Sequence, residues 1–282
     1  MEIPKGYKIF GKVLQAISHS WAAAYATRLF FTPIRFAMPE REKHMDKESR
    51  QKLISIPAIG KKINVYEYGD APRKILLVHG WSGRGTQLVT LADTLLAKGY
   101  SVVSFDAPAH GKSSGNKTYM AEFIACIIEI DKQLGSFYGI IGHSLGAMSS
   151  INALAMGMSS SFLICIGSGD IIEDIIYDFT DKLELKKEVG RKVHGILNEK
   201  LGSSVNRYSA SMAIRKLQIP ILIIHDEDDT DVPVSAAHNI HKNAPNSELY
   251  ITQGLGHRRV MADAKVMERI QSFVENKTNK IV

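Results

Sequence analysis

The chain holds 282 residues, 45% of them hydrophobic and 23% charged, with 22 Gly and 9 Pro, which suits a soluble globular protein with one substantial core. Its formal net charge is +6, and residues 1–50 supply +4 of that through nine Lys or Arg against five Asp or Glu. Without zinc-finger spacing or a repeated basic-aromatic motif, this excess does not read as a nucleic-acid footprint.

From the N-terminus, the uncharged run 13–27 includes Gln15, Ser18, His19 and Ser20 and stops at Arg28. It is too short and too polar to span a bilayer, and no signal-peptide core precedes it, so a cytoplasmic protein is expected. Cys126 and Cys165 sit in separate apolar runs and read as buried small hydrophobes of a reducing compartment rather than a disulfide.

Residues 8–36 place Ile9, Val13, Ile17 and Trp21 at helical spacing, and Pro33 and Pro39 should end that helix. The charged stretch 40–52 reads as an exposed connection. The simpler expectation for residues 1–50 is a helical arm packed on the main domain. The alternative, not favoured by the sequence, is an amphipathic basic segment that touches a membrane surface or covers the mouth of a site.

Residues 53–57 and 62–68 look like two strands joined at Gly60 and Lys61. An alternation then begins: strand 74–78, helix 86–98, strand 101–105, helix 120–134, strand 137–141, helix 147–156 and strand 162–166. It pauses over 170–217, a charged, helix-prone segment expected to form a small cap, and resumes with strand 219–224, helix 235–243, strand 248–252 and a last helix from about residue 259 to 274. Such alternation predicts a parallel sheet covered by helices on both faces, with function at the carboxyl ends of the strands.

The apolar strand 137–141 runs into Gly142-His143-Ser144-Leu145-Gly146, followed at once by a helix. This is the G-x-S-x-G pattern in its strand–turn–helix setting. Glycine at both flanks relieves the crowding of so sharp a turn, and the turn holds Ser144 proud of the sheet over a helix N-terminus.

On that elbow, the His79-Gly80 turn and the loop 106–113, the chain resembles the α/β-hydrolase fold superfamily, most closely its serine esterase and lipase-like members, from about residue 53 to the last helix. The resemblance implies a mostly parallel sheet of about eight strands with helices on both faces and a small helical cap. Residues 1–50 would be the arm, 51–169 with 218–282 the core, and 170–217 the cap insertion. It further implies a triad in the order Ser, Asp or Glu, His. His225 to Pro233 resembles the family's acid loop and places the acid at Asp229, although Asp226 stands where glycine is usual. Asp170, one strand earlier, is the alternative acid. Gly254-Leu255-Gly256-His257 supplies the base, His257, after the last strand, whereas His143 is expected to point away and His79 and His110 to brace loops. The oxyanion donors would be the backbone N–H groups of Leu145 and Trp81.

The expected activity is hydrolysis of a small-molecule carboxylic ester or thioester through an acyl-enzyme, with no cofactor and no metal. Carbon–carbon hydrolysis or acyl transfer would use the same residues. Two rival readings are a low-turnover ligand-binding protein on the same fold and a peripheral membrane lipase. Arg258 and Arg259 read either as an anion attractor or as exposed residues opening the last helix. Gly83-Arg84-Gly85 lacks the surroundings of a phosphate loop. Ile171, Ile172, Ile175 and Phe179 suggest an apolar pocket or the cap's own core. The sequence does not indicate an oligomeric state.

Overall fold

The computed structural model describes residues 3–202 and 204–278; Met1 and Glu2 of the expected arm, Ser203 of the expected cap and residues 279–282 lie outside them. In chain order the elements are α1 (Lys5–Ile17), α2 (His19–Phe30), α3 (Lys43–Glu48), β1 (Arg50–Ile56), β2 (Lys61–Tyr68), β3 (Lys74–Val78), α4 (Val89–Leu96), β4 (Ser101–Phe105), α5 (Met120–Leu134), β5 (Gly139–His143) and α6 (Leu145–Ala155). They continue with β6 (Leu163–Ile166), α7 (Ile172–Lys182), α8 (Lys187–Leu201), α9 (Ala210–Ala213), β7 (Ile221–Asp226), α10 (Ser235–Asn243), β8 (Ser247–Thr252), α11 (Gly256–Arg259) and α12 (Ala264–Thr278).

The strands form one eight-stranded sheet in the order β1-β2-β4-β3-β5-β6-β7-β8. The β1–β2 hairpin and the β2–β4 pair are antiparallel, and every pair from β4 to β8 is parallel. Alternation along each strand splits the apolar side chains between two faces. Leu76 and Ile140 turn to a cluster with Phe123 and Ile127 of α5 and Ile151 of α6. Ile75, Leu77 and Ile141 turn the other way, against Leu91 and Leu95 of α4 and Ile270 and Phe273 of α12. Helices thus cover both faces, as the alternation of elements predicts. Cys126 and Cys165 are buried free thiols in the first of these clusters.

A third apolar cluster lies off the sheet. Ala22, Ala23 and Ala26 of α2 and Phe31 pack on Ile176 of α7 and on Val189, Val193 and Leu197 of α8. The small alanine side chains let α2 approach α8 closely. Arm and cap segments therefore share one core, and neither is packed on the sheet alone.

Several boundaries differ from the sequence expectation. The single helix expected over 8–36 is two helices, because Ser18 is extended (φ −157°) and its Oγ accepts from the N–H groups of Ser20 and Trp21. That side-chain cap starts α2 afresh. The stretch 40–52 is not simply exposed. It contains α3, buries Met45 and Glu42, and the Glu42 carboxylate accepts from Thr86 Oγ1 at 2.8 Å and faces Arg84 Nε at 3.4 Å. The expected helix 86–98 opens as a 3₁₀ turn over Gly85–Leu88, and the last helix starts at Ala264 after the short α11. No helix among the described residues is long and apolar enough to cross a membrane.

Ile176 is fully buried in the arm–cap cluster. Ile176→Ala should destabilise the protein by about 2–5 kcal/mol through lost burial and the cavity left behind, read as a lower midpoint in urea unfolding.

Candidate active site

The elbow is built on close backbone approach. Ser144, between β5 and α6, has φ 54° and ψ −120°, a conformation L-residues rarely adopt and one that costs about 1–3 kcal/mol. Its N–H donates to Ile166 O at 2.9 Å, and its carbonyl accepts from Ala147 and Met148 at 3.0 and 3.2 Å. A Cβ on Gly142 would meet the Ala147 backbone at 2.6 Å, and one on Gly146 would meet Val78 O at 2.3 Å. Gly80 packs against Ser144 so tightly that its Cβ would sit 3.0 Å from Ser144 Cβ. Trp81 therefore follows directly on the residue touching Ser144, and Leu145 is the first residue of α6, where helical N–H groups have no intrahelical acceptor. The Trp81 ring lies edge-on to His110, 5.4 Å between centroids.

Asp229 and His257 meet across the ends of β7 and β8. His257 Nδ1–H donates to Asp229 Oδ2 at 2.7 Å. The other oxygen, Oδ1, accepts from Asp231 N–H at 2.9 Å and Val232 N–H at 2.8 Å, so the carboxylate is fixed with Oδ2 turned to the imidazole. His225 Nε2 lies 3.4 Å from the same Oδ2 and donates to Val232 O at 3.0 Å. Gly167, after β6, has φ 56°, and a Cβ there would come within 3.3 Å of His257 Nδ1.

Asp170 goes elsewhere. It is buried, accepts from Ser211 N–H at 2.7 Å and pairs with Asn239 Nδ2, tying the end of the cap segment to α10. Asp226 explains the departure from glycine in the acid loop. Its Oδ1 accepts from Asp228 N–H and Gly256 N–H, and its Oδ2 from Thr252 Oγ1 and Leu255 N–H, at 2.7 to 3.1 Å. One carboxylate thus clamps the loop of His257 to the loop of Asp229. Burial raises its pKa, but these four hydrogen bonds outweigh burial and hold it below the usual carboxylate value. Gly254 N–H donates to Asp228 in the same seam.

His143 does not point away, as expected from the sequence. Its ring lies 4.7 Å from that of His257, and its Nε2–H donates to His257 O at 2.9 Å. The strand ends two residues later than read, so His143 is the last residue of β5 and its ring meets that of His257. His79 and His110 do brace loops. His79 Nδ1–H donates to Gly80 O and Nε2 accepts from Ala107 N–H, while His110 Nδ1–H donates to Pro108 O and Nε2 accepts from Ser82 N–H. In the loop 106–113, buried Asp106 accepts from Gly85 N–H, Lys112 N–H and Tyr66 OH. Arg259 reaches back to the carbonyls of Leu255 and Gly254, and Arg84 to Glu42 and Ala37 O, so neither is poised for an anion.

Ser144 and His257 both open into a cavity of about 800 Å³. Ile171, Ile172, Ile175 and Phe179 of the cap line it, together with Phe30, Phe31 and Phe36 of the arm, Trp81, Met148 and Arg258. The arm's share answers to the less favoured expectation of a segment covering the mouth of a site, whereas the Asp226 clamp, the Gly167 approach and the His143 support had no local signal: each depends on a contact between segments distant in sequence. Among the described residues no group of three His, Cys, Asp or Glu is placed to hold a metal ion.

A model of the alpha/beta hydrolase family matches residues 75–184. Over 226 residues the chain is 23% identical to the uncharacterised protein YqkD of Bacillus subtilis, covering 73% of this chain and 72% of that protein. An esterase of Pyrococcus furiosus superposes with a TM-score of 0.67 at 21% identity, covering 87% of this chain and 97% of its own. An esterase of Exiguobacterium antarcticum superposes with 0.61 at 19% identity, covering 80% of this chain and 100% of its own. At such identities these likenesses establish the fold, which is that of the α/β hydrolases.

Burial pushes four histidines below their ordinary pKa, His225 among them, with His79 well below, His110 at about 4 and His143 at about 3. Each is neutral when folded, while the unfolded chain takes up protons as pH falls through about 6.5. Their contribution to stability is therefore complete above about pH 6.5 and is lost as pH falls from there toward each folded value, by up to about 1.4 kcal/mol per pH unit for each histidine. Urea midpoints measured from about pH 7.5 down to about pH 4.5 should fall accordingly.

Proposed function

We propose that this α/β-hydrolase-fold protein is a serine hydrolase that cleaves a carboxylic ester or thioester through an acyl-enzyme. The observation that carries the reading is the strained Ser144 at the head of α6, sharing one cavity with a His257 imidazole held by Asp229 at 2.7 Å. Ser144 Oγ would attack the substrate carbonyl while His257 Nε2 takes its proton. Asp229 fixes the tautomer, because Nδ1–H is engaged with the carboxylate, and it stabilises the imidazolium that forms. The N–H groups of Leu145 and Trp81 would receive the oxyanion. His257 then returns the proton to the leaving alcohol or thiol, and water releases the acyl group by the same steps.

The cavity supports a substrate with an apolar acyl or alcohol part, since Phe30, Phe31, Ile172, Ile175 and Phe179 face the space above the serine. The esterases sharing the fold are named for ester hydrolysis, which agrees with this chemistry.

Intact-mass labelling with a fluorophosphonate should show one adduct on the wild type and none on Ser144→Ala or His257→Ala. Hydrolysis of a short-chain nitrophenyl ester should fall by about 10⁴-fold or more in either variant. Asp229→Asn should lose about 10²–10⁴-fold, and Asp170→Asn far less. Absent labelling of the folded wild type would overturn the reading in favour of a ligand-binding role.

A separate expectation concerns the clamp. Asp226→Ala frees Leu255 N–H, Gly256 N–H and Thr252 Oγ1 and loosens the loop of His257. It should lower kcat by about 10-fold or more with KM little changed, because what it disturbs is the base rather than the cavity.

A further inference from the structure

The apolar face of α1 points away from the protein. Tyr7, Ile9, Phe10, Val13 and Ile17, with Trp21 at the start of α2, are 45 to 64% exposed. They fall within residues 7–21, whereas the other large exposed apolar side chains outside the arm, Leu53, Met156 and Met212, are scattered along the chain. Successive residues of a helix turn by about 100°. At that winding Ile9, Phe10, Val13 and Ile17 share one side of α1, Gly11 and Leu14 face α2 and the cap, and Lys5, Lys8 and Lys12 fall along the border between the two. Gly11 is the buried contact, against Leu185 and Tyr25.

The charge around this face has one sign. Between Glu2 and Glu40 the sequence holds Lys5, Lys8, Lys12, Arg28 and Arg35 and no carboxylate. Among the described residues of the elements packed on α1, Glu184 faces these lysines, pairing with both Lys8 and Lys12. An exposed apolar stripe bordered by cations, on a helix whose opposite side is packed, suits insertion at the boundary between lipid headgroups and acyl chains.

We propose that α1 and the start of α2 form a docking surface for an anionic lipid bilayer. The helix would lie in the interface plane with Ile9, Phe10, Val13 and Ile17 among the acyl chains and Lys5, Lys8 and Lys12 at the headgroups. A protein partner of the same shape would need carboxylates to face the lysines, and this chain offers none on α1 or α2 for a second copy to use. The same arm reaches the cavity. Ile3, just ahead of α1, and Phe30, Phe31 and Phe36, after it, line the space that holds Ser144. Docking would therefore set the cavity beside the bilayer, so that an apolar ester dissolved in lipid enters without crossing water; this consequence rests on the hydrolase reading, while the docking itself does not.

The test is co-sedimentation of the full chain with vesicles of phosphatidylcholine alone and of phosphatidylcholine mixed with phosphatidylglycerol. Trp21 fluorescence serves as a second readout. Wild type and Ser144→Ala should pellet equally with the anionic vesicles and shift their emission to the blue. Rising salt should release them, and the Ile9→Ser/Phe10→Ser/Val13→Ser variant should bind at least about tenfold more weakly. Lys5→Glu/Arg28→Glu should weaken binding to the anionic vesicles alone. Because these side chains are exposed, short-chain ester turnover and the circular dichroism spectrum should match those of the wild type. Wild type remaining in the supernatant at low salt would overturn the proposal. So would undiminished pelleting of the triple variant, or a wild-type dimer that ignores lipid and that the triple variant dissolves. Lipid binding by a Ser144→Ala protein that takes no fluorophosphonate leaves the docking proposal standing whatever becomes of the hydrolase reading.

Discussion

Backbone crowding beneath Ser144 governs the arrangement of the site. The chain leaves β5, reverses at one residue and enters α6 while the β3 loop passes alongside. A Cβ on Gly142 or Gly146 would lie closer to backbone than any side chain tolerates, and one on Gly80 would crowd His143 and Ser144 at 3.0 Å. Bringing three segments so close forces Ser144 into positive φ and lifts its side chain clear of the sheet. Parallel strands buried on both faces hold the strain in place, because neither β3 nor β5 can shift without opening a core cluster.

Around this rigid point, the polar groups at the strand ends are secured by buried side chains acting on backbone. Asp106, Asp226 and Asp229 each collect N–H groups from loops that would otherwise leave them unpaired, and His79, His110 and His143 each reach a carbonyl. The histidines remain neutral because desolvation outweighs any nearby acid. His257 is thereby held from two sides. Asp229 takes its Nδ1–H, and His143 bonds its backbone carbonyl.

The cap and the arm solve a different problem. Residues of α2, α7 and α8 bury their apolar sides against one another in one shared cluster. The result roofs the cavity with aromatic side chains from two distant parts of the chain. It also leaves the outer side of α1 largely exposed, with Phe10 edge-on to Tyr25 at its margin, and that side carries the apolar residues.

The order of strands and helices, the elbow at Ser144 and the loop positions of Asp229 and His257 were legible from residue order, because periodicity and glycine-flanked turns are local properties of a chain. A hydrogen-bonding serine at position 18 was visible too, but its effect on the helix was missed, since a cap competes with helical spacing that runs unbroken through it. What only the tertiary structure decided is which distant groups meet. It joined His257 to Asp229 while engaging Asp170 with Ser211 and Asn239, gave Asp226 its four donors and turned His143 toward the His257 carbonyl. It also decided that the apolar spacing of α1 faces outward, because a pattern of 3.6 residues says that a helix has two sides and leaves to packing which of them the rest of the protein will cover.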